Sequence, residues 1–142
     1  MLELNNVSIN NLPQVAEKIC SYYPSQKIFC FVGEMGAGKT TLIKEICTFF
    51  GVLENSSSPT YSIVNEYLNN QGKTVYHFDL FRIKNSKELF DIGFEEYLFS
   101  GNICLIEWPQ IAINLLDNYL EISLEKINEN TRKISWELKK LS

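Results

Sequence analysis

The sequence predicts an α/β fold, a three-layer sandwich in which helices cover both faces of a mixed central sheet that includes antiparallel hairpins. Three observations predict it. A glycine-rich turn, Gly33-Glu34-Met35-Gly36-Ala37-Gly38-Lys39-Thr40-Thr41, stands between an apolar strand pattern and an amphipathic helix pattern. A second apolar run, Ile103-Cys104-Leu105-Ile106, ends on an acid, Glu107. Elsewhere, pairs of strand-like segments are joined by short polar turns, and short turns join antiparallel strands.

Length and composition set the frame. At 142 residues the chain fits one domain, residues 1–142, with 45% hydrophobic and 21% charged residues, ordinary for a globular protein. No apolar run approaches the roughly 18 residues of a membrane span. The start, Met1-Leu2-Glu3-Leu4-Asn5, lacks the basic and apolar regions of a secretory signal. Together these point to the cytoplasm and away from membranes. The four cysteines, Cys20, Cys30, Cys47 and Cys104, are widely spaced within apolar patterns and read as small core residues. Net charge is −4 without a basic cluster, so a domain that grips nucleic acid by itself is not indicated.

Taken in order, residues 2–9 alternate loosely and suit an edge strand. Leu12, Val15, Ala16, Ile19, Cys20 and Tyr23 follow helical spacing. Asn10 or Asn11 can cap that helix, and Pro13 is tolerated in its first turn. The run Ile28-Phe29-Cys30-Phe31-Val32 reads as a strand buried on both faces. The loop after it reads G-x-x-x-x-G-K-T, the phosphate-binding loop (P-loop), and opens a helix with Leu42, Ile43, Ile46, Cys47 and Phe50 on one side. Such a turn aims several N–H groups at one anion at a helix N-terminus. Nucleotide contacts are therefore expected from Gly33, Met35, Gly36, Ala37, Gly38, Lys39, Thr40 and Thr41. Lys39 would reach the β- and γ-phosphates, and the Thr40 hydroxyl would join Mg²⁺.

The segment from Glu54 to Thr60 is polar and turn-rich, either a solvent loop or a switch-like segment near the γ-phosphate. Tyr61 to Tyr67 and Lys73 to Asp79 are strand-like, with Asn69-Asn70-Gln71-Gly72 as the hairpin turn. Alternation puts His77 and Asp79 on one face. Asn85 or Ser86 can cap a helix holding Leu89, Phe90 and Ile92, and a second short helix follows near Phe94. Acidic Glu88, Asp91, Glu95 and Glu96 line this region as a solvated face or a docking surface. Glu107 then arrives where parallel sheets place their ligands, as a carboxylate that can bind Mg²⁺ or orient the attacking water. Trp108, at the same rim, can cover the nucleotide or a partner. Alternating segments 120–125 and 133–138 predict a terminal hairpin, with Arg132 near its turn.

With those pieces placed, residues 10–110 resemble the TsaE (YjeE) family, small bacterial ATPases of tRNA threonylcarbamoyladenosine biosynthesis. The resemblance rests on the phosphate loop, then Ser58-Pro59-Thr60-Tyr61, His77-Phe78-Asp79-Leu80-Phe81-Arg82 and Ile106-Glu107-Trp108-Pro109. Phe81 stands where the family usually has Tyr, which removes any role for that hydroxyl. The resemblance implies an ATP-binding and hydrolysing subunit that acts with a TsaB–TsaD pair in modifying tRNA adenosine 37, the RNA being held by the partners. It implies that Thr40 and Glu107 hold Mg²⁺, that Asp79 is needed for hydrolysis, and that Ser58-Pro59-Thr60 forms a switch loop. A nucleotide contact from Arg132 and a preference for ATP over GTP also follow from likeness. Catalytic work would then fall to Lys39, Asp79 and Glu107. Two other classes use the same loop. A nucleotide-dependent interaction switch would keep its function without hydrolysis. A small-molecule kinase would carry an Arg-rich lid, which two arginines and no long insertion do not supply.

Overall fold

The structure, a computed structural model, describes residues 2–53 and 63–140. Seven strands form one sheet: β1 (Leu2–Ser8), β2 (Ile28–Val32), β3 (Val64–Leu68), β4 (Thr74–Asp79), β5 (Ile103–Glu107), β6 (Asn118–Lys126) and β7 (Thr131–Lys140), in the order β1-β7-β6-β2-β5-β4-β3. The centre, β6-β2-β5-β4, is parallel. Both flanks are antiparallel: β3 on β4 at one side, β7 on β6 and then β1 on β7 at the other. The mixed sheet thus appears as expected, with its hairpins at the two margins and the buried strands between them.

Two cores lie on opposite faces of the sheet. Helices α1 (Leu12–Tyr22) and α2 (Lys39–Phe49) pack on each other. They cover Phe29, Phe31, Leu105, Leu120, Ile122 and Trp136. On the other face, α3 (Ser86–Asp91), α4 (Phe94–Leu98) and a 3₁₀ helix, Pro109–Leu115, cover Cys30, Phe78, Cys104 and Ile106. The alternation of Phe29, Cys30 and Phe31 between these cores is why β2 is apolar on both sides. All four cysteines are free and buried. Burial alone raises the thiols of Cys47 and Cys104 to about 12 and is the main cause of a like rise for Cys20, to which Cys47 adds; it also raises Cys30.

Local chemistry sets the element ends. Asn85 accepts from the Glu88 N–H while the Glu88 carboxylate accepts from the Asn85 N–H, a reciprocal cap that starts α3. Asn11 occupies the cap position of α1, but its side chain bonds Ser8 and Gln14 instead, because a 3₁₀ turn over Ile9–Asn11 already precedes the helix. In the β3–β4 turn the side-chain Oδ1 of Asn69 accepts from the Gln71 and Lys73 N–H groups. β3 begins at Val64; the Ser58-Pro59-Thr60 segment and Tyr61 lie outside the described residues. No described helix is long and apolar enough to cross a membrane.

Candidate nucleotide site

The site is built at the carboxyl ends of β2, β4 and β5. β2 delivers the chain into the loop at Gly33, whose backbone presses on β6: a Cβ there would meet the Leu124 carbonyl oxygen at 2.6 Å. Only glycine allows this approach. Gly38, with φ of 103°, makes the left-handed step into α2. The Leu42 N–H then donates to the Gly38 carbonyl as the first bond of the helix. Beside the loop is a cavity of about 530 Å³. Met35, Gly36, Ala37, Gly38, Lys39, Thr40, Thr41, Asp79, Glu107, Trp108 and Arg132 all line it, while Gly33 stands behind at the loop's base. Residues from four separate stretches are thus brought together.

Strand register explains the placement of the acids. Glu107 pairs with Phe31 on one side and Asp79 on the other, so all three face the α1–α2 layer. Glu107 is 5% exposed. Its Oε1 lies 3.4 Å from the Thr40 hydroxyl, which donates to it from the first turn of α2. Its Oε2 lies 2.7 Å from His77 Nε2. Asp79, at the exposed end of β4, accepts from the Phe81 N–H at 3.1 Å.

Two cations flank the loop. The Lys39 ammonium donates to the Gly33 carbonyl and stands 3.6 Å above the centre of the Trp108 ring, a contact of roughly 0.5–2 kcal/mol. Burial lowers its pKa from the ordinary lysine value, opposed by the Glu107 and Asp79 carboxylates. Trp108 reaches that position through a left-handed backbone, φ 55°, directly after β5, and its other neighbour is Phe81, ring centroids 4.9 Å apart. Phe81 thus contributes its ring to the rim of the site. Arg132 comes from the opposite side. Its guanidinium donates to the carbonyls of Ala37 at 3.0 Å, Gly36 at 3.4 Å, Asn128 at 2.8 Å and Thr131 at 3.0 Å. Those bonds tie the loop to the start of β7. Sequence reasoning placed Arg132 near the nucleotide but did not foresee that backbone carbonyls would take its donors.

Among the described residues no cluster of three or more His, Cys, Asp or Glu could hold a metal by itself. The Thr40 hydroxyl and Glu107 carboxylate are nevertheless hard oxygen donors of the kind Mg²⁺ takes in ones and twos alongside phosphate and water. The donor set fits a cation that arrives with a nucleotide.

A family model described as threonylcarbamoyl adenosine biosynthesis protein TsaE matches residues 7–134. The chain belongs to the TsaE family. It is similar to the tRNA threonylcarbamoyladenosine biosynthesis protein TsaE of Rickettsia felis, 38% identical over 137 residues that cover 95% of this chain and 78% of that one. The protein of the same name from Bacillus subtilis is 28% identical over 136 residues, covering 95% and 84%. Among solved structures, the crystal structure of Bacillus subtilis YdiB shares the fold with a TM-score of 0.74 at 24% identity, over 95% of this chain and 83% of that one. Membership in the TsaE family agrees with the phosphate-loop, NTPase-like architecture, including the mixed sheet.

Proposed function

We propose that this chain is an ATP-binding and hydrolysing subunit for the threonylcarbamoyl modification of tRNA adenosine 37, folded as one P-loop domain and acting with a TsaB–TsaD pair in the cytoplasm. The biosynthetic role is taken from the names of its relatives. One observation carries the biochemical half: a buried carboxylate, Glu107, facing the first hydroxyl of a phosphate-loop helix beside Lys39. A glycine turn alone would not require that acid.

In this reading the amides of Gly36, Ala37, Gly38, Lys39 and Thr40 gather the phosphates, with Met35 and Thr41 completing the loop's contacts. Lys39 leaves the Gly33 carbonyl to meet the β- and γ-oxygens. Thr40 and Glu107 would hold Mg²⁺, which supplies charge neutralisation across those oxygens. Glu107 is already engaged by Thr40 and His77, so Asp79, exposed on the same rim, is the residue we assign to orienting water. Trp108 and Phe81 shield the phosphate end from solvent. Phosphoryl transfer asks for positioning and charge stabilisation more than for covalent chemistry, and the chain's own cations are few. Full turnover is expected only in the complex. The net charge of −4 agrees with tRNA being held by partners.

The test is to measure phosphate release by the chain alone, with the TsaB–TsaD pair, and with Lys39→Ala in both settings. Release that rises with the pair and disappears in the variant supports the proposal. A rate indifferent to Lys39 would remove it.

A further inference from the structure

A polar chain, buried at its His77–Glu107 link, runs across the sheet into the site, and its Tyr67 and His77 have no role in the hydrolysis scheme above. The Tyr67 hydroxyl on β3 lies 3.1 Å from His77 Nδ1 on β4, and His77 Nε2 lies 2.7 Å from Glu107 Oε2 on β5. Glu107 Oε1 then meets the Thr40 hydroxyl on α2 at 3.4 Å. His77 is 9% exposed and is the only histidine of the chain. Register makes the contact: His77 pairs with Leu105, two residues before Glu107 on the same face.

For an ionised Glu107 beside a neutral imidazole, the direction of each bond follows. An ionised carboxylate only accepts, so the proton must be on Nε2. In the neutral imidazole, Nδ1 then accepts from the Tyr67 O–H. With both ring nitrogens engaged, the imidazole cannot flip without losing a buried hydrogen bond. One oxygen of Glu107 is therefore fixed, and the other is left to face Thr40.

We infer that His77 is a positioning residue: it holds Oε2 of Glu107 so that Oε1 is presented, beside the Thr40 hydroxyl, to the cation of a bound nucleotide. This rests on the nucleotide-site reading above. Residues that orient a metal's ligands commonly change metal affinity by about 10- to 100-fold when removed. A histidine serving only the core would change stability and leave metal affinity alone.

Because there is a single imidazole, long-range ¹H–¹⁵N correlation on the wild-type protein without nucleotide reads its tautomer directly. The expected spectrum shows one ring held with the proton on Nε2; a proton on Nδ1, or rapid averaging, overturns the inference whether or not nucleotide binds. The second measurement is calorimetry with ADP in EDTA, followed by Mn²⁺ affinity of the protein–ADP complex from the free-Mn²⁺ electron spin resonance signal. His77→Leu should bind ADP in EDTA within about 2-fold of wild type but take Mn²⁺ about 10- to 100-fold more weakly. His77→Gln, whose amide N–H can still donate to Glu107, should recover most of that loss. Unchanged Mn²⁺ affinity in His77→Leu, or equal loss of ADP and Mn²⁺ binding, overturns the inference. A wild-type protein that binds no ADP instead fails the nucleotide-site reading itself, and the two failures are distinguished before any variant is made.

Discussion

The front and the back of the phosphate loop each hold one buried cation, and the two are held in opposite ways. At the back, four backbone carbonyls accept from the rigid fork of the Arg132 guanidinium. At the front, Lys39 has the Gly33 carbonyl, the Glu34 carbonyl at 3.5 Å and the face of Trp108, while two carboxylates stand near enough to affect its protonation. A cation with four of its five N–H donors on backbone carbonyls organises the chain around it. A cation held by two carbonyls of the loop's own first turn and a ring face can exchange those contacts for phosphate. Sequence proximity to a glycine loop does not distinguish these roles; the bonding does.

The comparison breaks most sharply at Lys39. Lys39→Ala should weaken nucleotide binding by at least about 100-fold, the range expected for losing a buried charge interaction, as read by calorimetry. Its melting temperature should fall only slightly, because loss of the Trp108 and carbonyl contacts is offset by relief of the burial that depresses the lysine's pKa, a cost present below the folded pKa and relieved as pH rises through it. A large drop in stability with retained binding would reverse the assigned roles.

Glu107→Gln comes next. Steady-state hydrolysis should fall by about 100-fold, while ADP binding measured in EDTA stays near wild type. Loss of ADP binding without metal would mean that Glu107 supports the loop's shape instead.

Arg132→Leu should act first on the fold. Hydrogen bonds to a charged group contribute about 1.5–3 kcal/mol each, and leaving carbonyls unpaired adds to the loss. A fall of about 3 kcal/mol is expected in chemical denaturation, with nucleotide affinity down about 10-fold as a secondary effect. If affinity vanishes while stability is untouched, Arg132 is a direct nucleotide contact.

An effect confined to alkaline pH lies away from both cations. The thiols of Cys20, Cys47 and Cys104 rise from 9.0 to about 12 on folding. A folded-state value above the unfolded one means the stabilisation is complete below pH 9 and is lost as pH rises toward 12. The native protein should therefore resist thiol reagents at pH 8 and become steadily less stable across that alkaline window. Prompt labelling at pH 8 would show that these cysteines are reached through openings of the fold.

How much of this could be read from the chain alone follows from how local each feature is. The phosphate loop is contiguous, and α1 and α2 announce themselves through spacing such as Leu12, Val15, Ala16 and Ile19. Glu107 could be singled out because an acid after four apolar residues marks a strand end. Strand order was not legible: nothing in the alternation of β6 and β7 states that β6 lies parallel to β2. That one pairing brings Leu124 against Gly33 and Arg132 behind Gly36. His77 stands out in the sequence as one of a polar cluster with Asp79 and Arg82 at a strand end, but not as a partner of Glu107, which is 30 residues away and reached only through β4–β5 register. The left-handed turn at Trp108 carries no sequence signal at all, because bulky residues seldom adopt it.

The most direct test is a crystal structure of the wild-type chain with Mg²⁺ and a non-hydrolysable ATP analogue. The prediction is a triphosphate on the loop amides, Lys39 moved from the Gly33 carbonyl onto the phosphate oxygens, and Thr40 and Glu107 facing the metal. Phosphates bound elsewhere, or Lys39 still on Gly33 with the nucleotide present, would contradict it.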